Sequence, residues 1–284
     1  MRLCRYDGGR LGLIEGDTVR DVSPALQKLP AFRYPFPCQD ILIEHLPTIA
    51  AEIDMLSGGD IVPLSSVTLL SPVANPGKLV AAPVNYQAHL DEAIADHGTF
   101  SRAHVRKIQE TGLFLKATSS LIGAGSPIQV RHSDRRTDHE IELAVIIGKT
   151  GRDISVDDAL DYVAGYSIGL DITIRGPEER SLRKSLDTYS VLAPALVTAD
   201  EIPDPARLEL LLTVDGAVRQ RANTRDLIMN VPELIAFASS FYTLFPGDII
   251  FTGTPEGVGP IFPGEKIAAS IEKVGALFID VVGA

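Results

Sequence analysis

The chain has 284 residues, of which 45% are hydrophobic and 22% are charged, and its formal net charge at pH 7 is −11. This composition predicts a globular protein with one large domain, or with a large domain and a small one. The acidic charge argues against nucleic acid and anionic membrane surfaces as partners, because both repel a negatively charged protein.

The two cysteines and the N-terminus bear on the compartment. Cys4 and Cys38 have no metal-binding spacing and predict no disulfide framework, so we expect a reducing environment. The first residues carry charge where a signal peptide would be apolar, and no run of the chain approaches the roughly 20 apolar residues of a membrane span. We therefore expect a cytoplasmic protein without a membrane segment.

Residues 1–71 predict a small β-rich domain. Leu11 to Val19 is typical of a β-hairpin, and a helix is expected at about residues 38–56. The segment from Ser71 to Gly77, rich in proline and glycine turn signals, marks a connector. We expect the second, larger domain to span residues 72–284.

The larger domain begins with a short strand and a helix. His89 and Glu92 are three residues apart, so on a helix they share a face and can pair as imidazole and carboxylate. Such a pair raises the basicity of the histidine and fixes its tautomer, as general-base chemistry requires, although surface helices often carry the same spacing. The polar segment from Ala93 to Glu110 is typical of a mobile cover over a site, and equally of a surface loop.

The most informative stretch is the predicted strand from Asp138 to Gly148. Its second half is a continuous apolar run, typical of a strand buried on both faces. Side chains alternate between the faces of a strand, so Asp138, Glu140 and Glu142 point the same way, with the glutamates about 7 Å apart. Carboxylates this close repel one another unless a cation or a shared proton compensates them. A solvated strand face is the alternative interpretation.

A second predicted strand, over residues 166–175, adds Asp171 and Arg175 on one face. Glu140, Glu142 and Asp171 together offer three oxygen ligands without a thiolate, a set that selects magnesium, manganese or calcium over zinc. Three protein ligands leave open positions for substrate oxygens. The set is therefore typical of a catalytic metal rather than a structural one.

The rest of the chain predicts short strands and two helices. The strands are expected near residues 208–214, 219–221, 248–251, 266–271 and 277–282, and the helices at 156–163 and 231–241. Many short strands with few helices indicate a β-rich α+β fold, in the form of a roll or barrel-like sandwich.

Two glycine-containing motifs need an interpretation. Gly165 to Gly169 matches the G-x-S-x-G pattern of serine hydrolases, which requires a strand before the serine and a helix after it. The predicted order is reversed, so Ser167 is interpreted as a packing residue. The glycines between Gly253 and Gly259 do not have the spacing of a phosphate-binding loop; we expect a tight loop that brings the Thr254 hydroxyl close to a ligand.

Taken together, these segments resemble the fumarylacetoacetate hydrolase family over about residues 72–282. The matching segments have the order and spacing of the family: Asn85-Tyr86 with His89 and Glu92, Phe114-Leu115-Lys116, Glu140-Ile141-Glu142-Leu143, Gly165-Tyr166 through Asp171, Thr173 and Arg175, Lys184-Ser185 with Asp187-Thr188, Asn223-Thr224 with Asp226, and Gly247-Asp248 through Thr252-Gly253-Thr254-Pro255 and Gly257-Val258-Gly259.

The resemblance implies a mixed β-roll catalytic domain over residues 72–284, usually in a homodimer, that binds Mg²⁺ or Mn²⁺. The implied metal ligands are Glu140, Glu142 and Asp171. His89 with Glu92 is implied to activate a water molecule, under a lid that closes over the substrate.

The resemblance also implies roles for several other residues. Lys184 would stabilise developing negative charge, and four residues would line the substrate site: Tyr86, Lys116, Arg175 and Thr254. One position departs from the family, because the residue after Arg175 is usually aspartate and here it is Gly176. This departure bears on the orientation of Arg175 and on the substrate range.

The implied activity is cleavage of the carbon–carbon bond of an acylpyruvate, such as fumarylpyruvate or maleylpyruvate, to pyruvate and a carboxylic acid through a pyruvate enolate. Decarboxylation of an oxaloacetate-type acid yields the same enolate, and isomerisation of a 2-hydroxy-dienedioate needs only proton transfer at the same site. His89 and Glu92 favour hydrolysis, because a positioned base is most needed when water is the nucleophile. A metal-binding protein without activity would be expected to lack the pair or a ligand, and all five residues are present.

Overall fold

The computed structural model describes residues 1–95 and 108–284. The predicted cover from Ala93 to Glu110 falls mainly in residues 96–107, and so it lies mainly outside the described residues. None of the helices in the described ranges is long and apolar enough to cross a membrane.

The described residues form twenty β-strands and six α-helices, with several short 3₁₀ turns. The strands are β1 (Arg2–Tyr6), β2 (Arg10–Glu15), β3 (Thr18–Asp21), β4 (Ile61–Pro63), β5 (Leu69–Leu70), β6 (Leu79–Ala81), β7 (Phe114–Lys116), β8 (Leu121–Ile122), β9 (Ile128–Val130), β10 (Thr137–His139), β11 (Ile141–Ile147), β12 (Val163–Asp171), β13 (Thr173–Ile174), β14 (Ser190–Thr198), β15 (Glu209–Val214), β16 (Ala217–Asn223), β17 (Ile249–Phe251), β18 (Gly259–Pro260), β19 (Lys266–Ile271) and β20 (Gly275–Gly283). The helices are α1 (Ile41–Glu44), α2 (Leu46–Met55), α3 (Gln87–Ala95), α4 (Ile108–Thr111), α5 (Arg180–Arg183) and α6 (Val231–Phe241).

The strands form three sheets. The largest runs in the order β4-β3-β2-β1-β14-β12-β11-β17-β6-β7, with β5 paired to β1 and β8 to β14. A second sheet has the order β16-β15-β19-β20-β9, and a third the order β13-β10-β18. Most pairs are antiparallel, whereas β17–β6, β14–β8 and β20–β9 are parallel. The expectation of a β-rich α+β fold with mixed sheets is confirmed.

The N-terminal strands belong to the largest sheet, because β1 pairs with β14 in the register Leu3↔Leu196. The predicted hairpin is present as β2 and β3. The helix expected at about residues 38–56 is divided into α1 and α2 at His45, and the Asp40 carboxylate caps α1 by accepting from the Ile43 N–H at 3.2 Å. The division into domains at residue 71 stays a prediction.

Strand β11 lies in the middle of the largest sheet, between β12 and β17, and all seven of its residues are buried. Leu143 and Val145 pack into one hydrophobic cluster, whereas Ala144 and Ile146 pack into another, so both faces of the strand meet apolar side chains. Each large side chain buried in this way contributes about 1.5–3 kcal/mol. The prediction of a strand buried on both faces is confirmed.

Two predicted strands are each divided in the structure. The strand expected from residue 138 to 148 changes sheet at Glu140, where β10 ends and β11 begins, and the strand expected over residues 166–175 changes sheet at Ile172. The two breaks are joined by a hydrogen bond from the Asp171 N–H to the Glu140 carbonyl at 2.9 Å. The prediction of a helix at residues 156–163 was wrong, because a short 3₁₀ turn, Ala159–Tyr162, leads directly into β12.

Candidate metal centre and active site

Three buried carboxylates meet where the two divided strands change sheet. Glu140, Glu142 and Asp171, here called the acidic trio, each offer a ligand oxygen, and these atoms lie within 4.8 Å of one another. They come together because β11 and β12 are antiparallel neighbours with Ile141 opposite Leu170. None of the three is more than 5% exposed. The trio therefore needs positive charge close by.

Two lysines supply part of that charge. Nζ of Lys184 donates to Oε2 of Glu140 at 2.6 Å and to Oδ2 of Asp171 at 2.7 Å. Nζ of Lys116 donates to Oδ1 of Asp171, and to the carbonyl of Tyr189 at 2.7 Å. Burial lowers the pKa of Lys116, an effect that the Asp171 charge opposes. The two lysines thus hold the Asp171 carboxylate with one ammonium group at each oxygen.

Arg175 also faces the acidic trio. Its Nε donates to Oδ2 of Asp138 at 2.6 Å, and its Nη2 donates to Oε1 of Glu140 at 3.2 Å. Asp138 accepts a further hydrogen bond from Nε of Arg136 at 2.6 Å. Asp138 therefore flanks the trio between two guanidinium groups and helps to orient Arg175.

The space beside Gly176 is filled by an ion pair. Arg135 donates through Nη2 to the Arg175 carbonyl at 2.8 Å and to Oε2 of Glu178 at 2.7 Å. A β-carbon at position 176 would overlap the guanidinium of Arg135. The departure from the family is thus accompanied by an arginine that holds the backbone next to it, and the Arg175 side chain still points to the trio.

The two glutamates of the trio have pKa values displaced in opposite directions. Burial would raise the pKa of Glu140, but the charges of Lys184 and Arg175 outweigh it and lower the pKa to about 2. Burial, followed by the charge of Asp171, raises the pKa of Glu142 well above its ordinary value, although Lys184 opposes the shift. The nearby lysine and arginine charges therefore do not fully compensate the negative charge of the acidic trio. Three hard oxygen donors that lack compensation fit a divalent cation such as Mg²⁺ or Mn²⁺.

His89 and Glu92 form the predicted pair on α3. Nδ1 of His89 lies 2.9 Å from Oε2 of Glu92, and Oε1 of Glu92 accepts from the Gly257 N–H at 3.0 Å. His89 is buried and close enough for its charge to act on the pKa of Glu140. The structure therefore brings the pair and the acidic trio together.

One loop, residues 252–257, connects the pair to the trio. The Gly253 N–H donates to Oε2 of Glu142 at 2.6 Å, while the Gly257 N–H holds Glu92. Gly253 has φ of 97° and Gly257 has φ of 86°, a backbone region that favours glycine. These glycines let the loop turn both N–H groups toward carboxylates.

Gln220, on β16, fastens this loop to β11. Its Nε2 donates to Oγ1 of Thr254 and to the Pro255 carbonyl, both at 2.9 Å, and its Oε1 accepts from the Ile141 N–H at 3.0 Å. The same Oε1 lies 3.1 Å from Nδ1 of His139, a buried imidazole whose pKa burial lowers. Gln220 is fully buried, and sequence reasoning missed it because a single glutamine in a polar strand carries no signal.

The remaining predicted residues have distinct surroundings. Oγ1 of Thr254 donates to the Ile141 carbonyl at 2.9 Å. Tyr86 is buried, and its hydroxyl has no hydrogen-bond partner among the described residues. Burial, followed by the charge of Glu142, raises the pKa of Tyr86. The role of both residues in substrate binding stays a prediction.

Two further polar residues complete the picture. Thr173, on β13, accepts from Nζ of Lys184 at 2.6 Å and donates to Oε1 of Glu140 at 3.1 Å. Ser167 is buried in the middle of β12, where its hydroxyl donates to the Ala193 carbonyl at 3.1 Å. Its interpretation as a packing residue is confirmed.

Comparison with known proteins agrees with this site. The model of the fumarylacetoacetate (FAA) hydrolase C-terminal domain matches residues 78–282. A maleylpyruvate hydrolase of Aquipseudomonas alcaligenes is 53% identical over 282 residues, which cover 98% of each chain. A mitochondrial oxaloacetate tautomerase of Rattus norvegicus is 36% identical over 234 residues, which cover 78% of this chain and 72% of the relative.

A solved structure is similar over the whole chain. It is the crystal structure of maleylpyruvate hydrolase from Sphingobium sp. SYK-6 in complex with manganese(II) and pyruvate. The two proteins are 40% identical, the TM-score is 0.84, and the match covers 100% of both chains. From the family model and these relatives we conclude that the chain belongs to the fumarylacetoacetate hydrolase family.

Proposed function

We propose that the protein is a divalent-metal-dependent hydrolase that cleaves the carbon–carbon bond of an acylpyruvate, giving pyruvate and a carboxylic acid. The observation that carries this proposal is the His89–Glu92 pair joined by one loop to a buried trio of carboxylates. The full-length similarity to a maleylpyruvate hydrolase supports maleylpyruvate as the first substrate to test.

The acidic trio would hold Mg²⁺ or Mn²⁺ through Glu140, Glu142 and Asp171. A divalent ion at these residues supplies positive charge that polarises the oxygens of the pyruvate part and stabilises the negative charge that develops on it. Lys184 adds a second positive charge, because its Nζ lies 2.6 Å from Glu140 and 2.7 Å from Asp171. That ammonium group stabilises the enolate as the bond breaks.

His89 acts as the general base. Glu92 accepts from Nδ1 of the imidazole, and so Nε2 is the nitrogen that takes a proton from water. The water oxygen then bonds to the acyl carbonyl carbon. The bond between this carbon and C3 of the pyruvate part breaks, its electron pair passes to the pyruvate enolate, and a proton delivered to C3 completes pyruvate.

The surrounding residues orient the substrate in this proposal. Arg175 and Lys116 hold Glu140 and Asp171 in place and keep positive charge beside them. The buried Tyr86 hydroxyl provides a donor for a substrate oxygen, and Thr254 holds the loop against β11. These contacts would keep the pyruvate part in one orientation as water attacks.

We also propose that the enzyme is a cytoplasmic homodimer. Phe278 on β20 is 72% exposed beside Ala268 of the neighbouring strand, and this apolar surface supports contact with a second chain. Cys4 and Cys38 are both free thiols, which supports a reducing compartment. Light scattering after size-exclusion chromatography tests the assembly: a mass of one chain would contradict the dimer.

The function is tested by following pyruvate release from a panel of acylpyruvates, with oxaloacetate included because one relative is an oxaloacetate tautomerase. Wild type and His89→Ala are compared in Mn²⁺ and in chelator. We expect pyruvate from acylpyruvates only with metal and only with His89 present. Turnover in chelator would contradict the metal requirement. Pyruvate release from oxaloacetate alone, unaffected by His89→Ala, would replace the hydrolase with a decarboxylase.

A further inference from the structure

Arg180 lies one helical turn before Lys184 and on the same side of α5, since residues four apart on a helix have β-carbons about 5–6 Å apart. Both cations lie over the ring of Phe114: Cζ of Arg180 is 5.5 Å and Nζ of Lys184 is 5.6 Å from its centroid. Nζ of Lys184 contacts Glu140 and Asp171, and the charges of the same two carboxylates act on the pKa of Arg180, so Arg180 lies near the acidic trio.

The neighbours of Arg180 in and just after α5 have other surroundings. Ser181, Leu182 and Ser185 line a cavity of about 630 Å³ whose lining includes Lys116 but no residue of the acidic trio. Arg183 is buried, and its Nε donates to the Glu178 carbonyl at 2.8 Å. Of the two arginines in α5, Arg180 is therefore the one on the side of the trio.

The positive charge of Arg180 adds to a site that already has cations in contact with its carboxylates. Lys116, Lys184 and Arg175 make those contacts directly. Burial, followed by the like charge of Arg183, lowers the pKa of Arg180, so an additional anion beside the guanidinium would be stabilised. The side chain of Arg180 is only half-buried.

We infer that Arg180 binds a carboxylate at the far end of the acyl group and thereby selects dicarboxylic over monocarboxylic acylpyruvates. The inference rests on the proposed function, which puts the pyruvate part of the substrate at the acidic trio. A maleyl group ends in a carboxylate, whereas the acetyl group of acetopyruvate ends in a methyl group. The planar guanidinium can donate two parallel hydrogen bonds to a carboxylate, which a lysine cannot reproduce.

The test compares maleylpyruvate with acetopyruvate as substrates in Mn²⁺. Arg180→Met keeps an unbranched apolar side chain without the guanidinium, and Arg180→Lys keeps the charge without the fork. Arg152→Met removes an exposed arginine paired with Asp153 and is the matched control. For Arg180→Met we expect kcat/KM for maleylpyruvate to fall about 10- to 100-fold, because hydrogen bonds to charged groups contribute this much. The loss should appear mainly in KM, and Arg180→Lys should recover part of it.

For acetopyruvate, Arg180→Met should change kcat/KM by less than about 2-fold, since no contact to a distal carboxylate is lost. An equal loss on both substrates would overturn the inference and assign Arg180 to the pyruvate part or to folding. No loss on either substrate would overturn it as well. Failure of the wild type to release pyruvate from both acylpyruvates would instead contradict the proposed function, so the two failures are distinguishable.

Discussion

Replacement of Lys184 by methionine tests whether the acidic trio is a cation site. Nζ of Lys184 lies 2.6 Å from Glu140 and 2.7 Å from Asp171, and its side chain is 8% exposed. Removing one partner of a buried ion pair costs about 3–5 kcal/mol, because the remaining charges stay buried without compensation. Lys116 and Arg175 stay in place, so we expect the lower end, about 3 kcal/mol, in the free energy of unfolding measured in chelator.

A divalent ion should reduce this loss. Mn²⁺ at about 100 times its Kd stabilises a one-site protein by roughly 2.7 kcal/mol, and in the variant it also replaces the missing positive charge beside Glu140 and Asp171. The difference in unfolding free energy between Lys184→Met and wild type should therefore be smaller in Mn²⁺ than in chelator. Urea unfolding in the two buffers measures both differences.

Lys78 provides the matched control. Its Nζ lies 2.7 Å from Oδ2 of Asp248, a fully buried carboxylate that is not a member of the acidic trio. Lys78→Met should also destabilise the protein, but by the same amount in Mn²⁺ and in chelator. If the loss in Lys184→Met does not change with Mn²⁺, or if Mn²⁺ reduces the loss equally in both variants, the trio is not the cation site.

Three further predictions concern the acidic trio, the loop beside it and the His89–Glu92 pair. The pKa of Glu142 is raised without metal, so Mn²⁺ must displace a proton from this carboxyl when it binds. Titration calorimetry from about pH 8 to about pH 5 should therefore show weaker Mn²⁺ binding and more proton release as the pH falls. Mn²⁺ affinity that does not change with pH would contradict this. Gln220→Leu should lower the unfolding free energy by about 1–3 kcal/mol and weaken Mn²⁺ binding, because the buried Ile141 N–H and Thr254 hydroxyl lose their hydrogen-bond partner. The control Gln27→Leu, at an exposed position, should change neither. Glu92→Gln should lower kcat by about 10²- to 10⁴-fold at saturating Mn²⁺ with unchanged metal affinity; weaker Mn²⁺ binding would place Glu92 among the ligands.

Local sequence patterns predicted several elements of the fold. The predicted helix at residues 231–241 is α6, whose start is fixed by a capping box between Asn230 and Glu233. The apolar run after Glu142 predicted β11. The helix expected at residues 156–163 did not form; three aspartates lie in that segment, and aspartate is a weak helix former.

The breaks at Glu140 and Ile172 could not be predicted, because alternation along a strand does not encode a change of sheet. They matter for the site, since β10 and β13 leave the largest sheet there, while the trio stays at the start of β11 and the end of β12, two central strands of that sheet. The contacts of Lys184 and Gln220 are set by strands far apart in sequence, so the lysine was identified only through a family resemblance and the glutamine was not identified at all.

The fate of water oxygen tests the central claim most directly. Hydrolysis with His89 as the base forms a bond between the water oxygen and the acyl carbon, so turnover of maleylpyruvate in H₂¹⁸O with Mn²⁺ should release pyruvate together with ¹⁸O-labelled maleate. His89→Ala should release neither, although it still binds Mn²⁺. Release of carbon dioxide or of an isomer without labelled maleate would contradict the account.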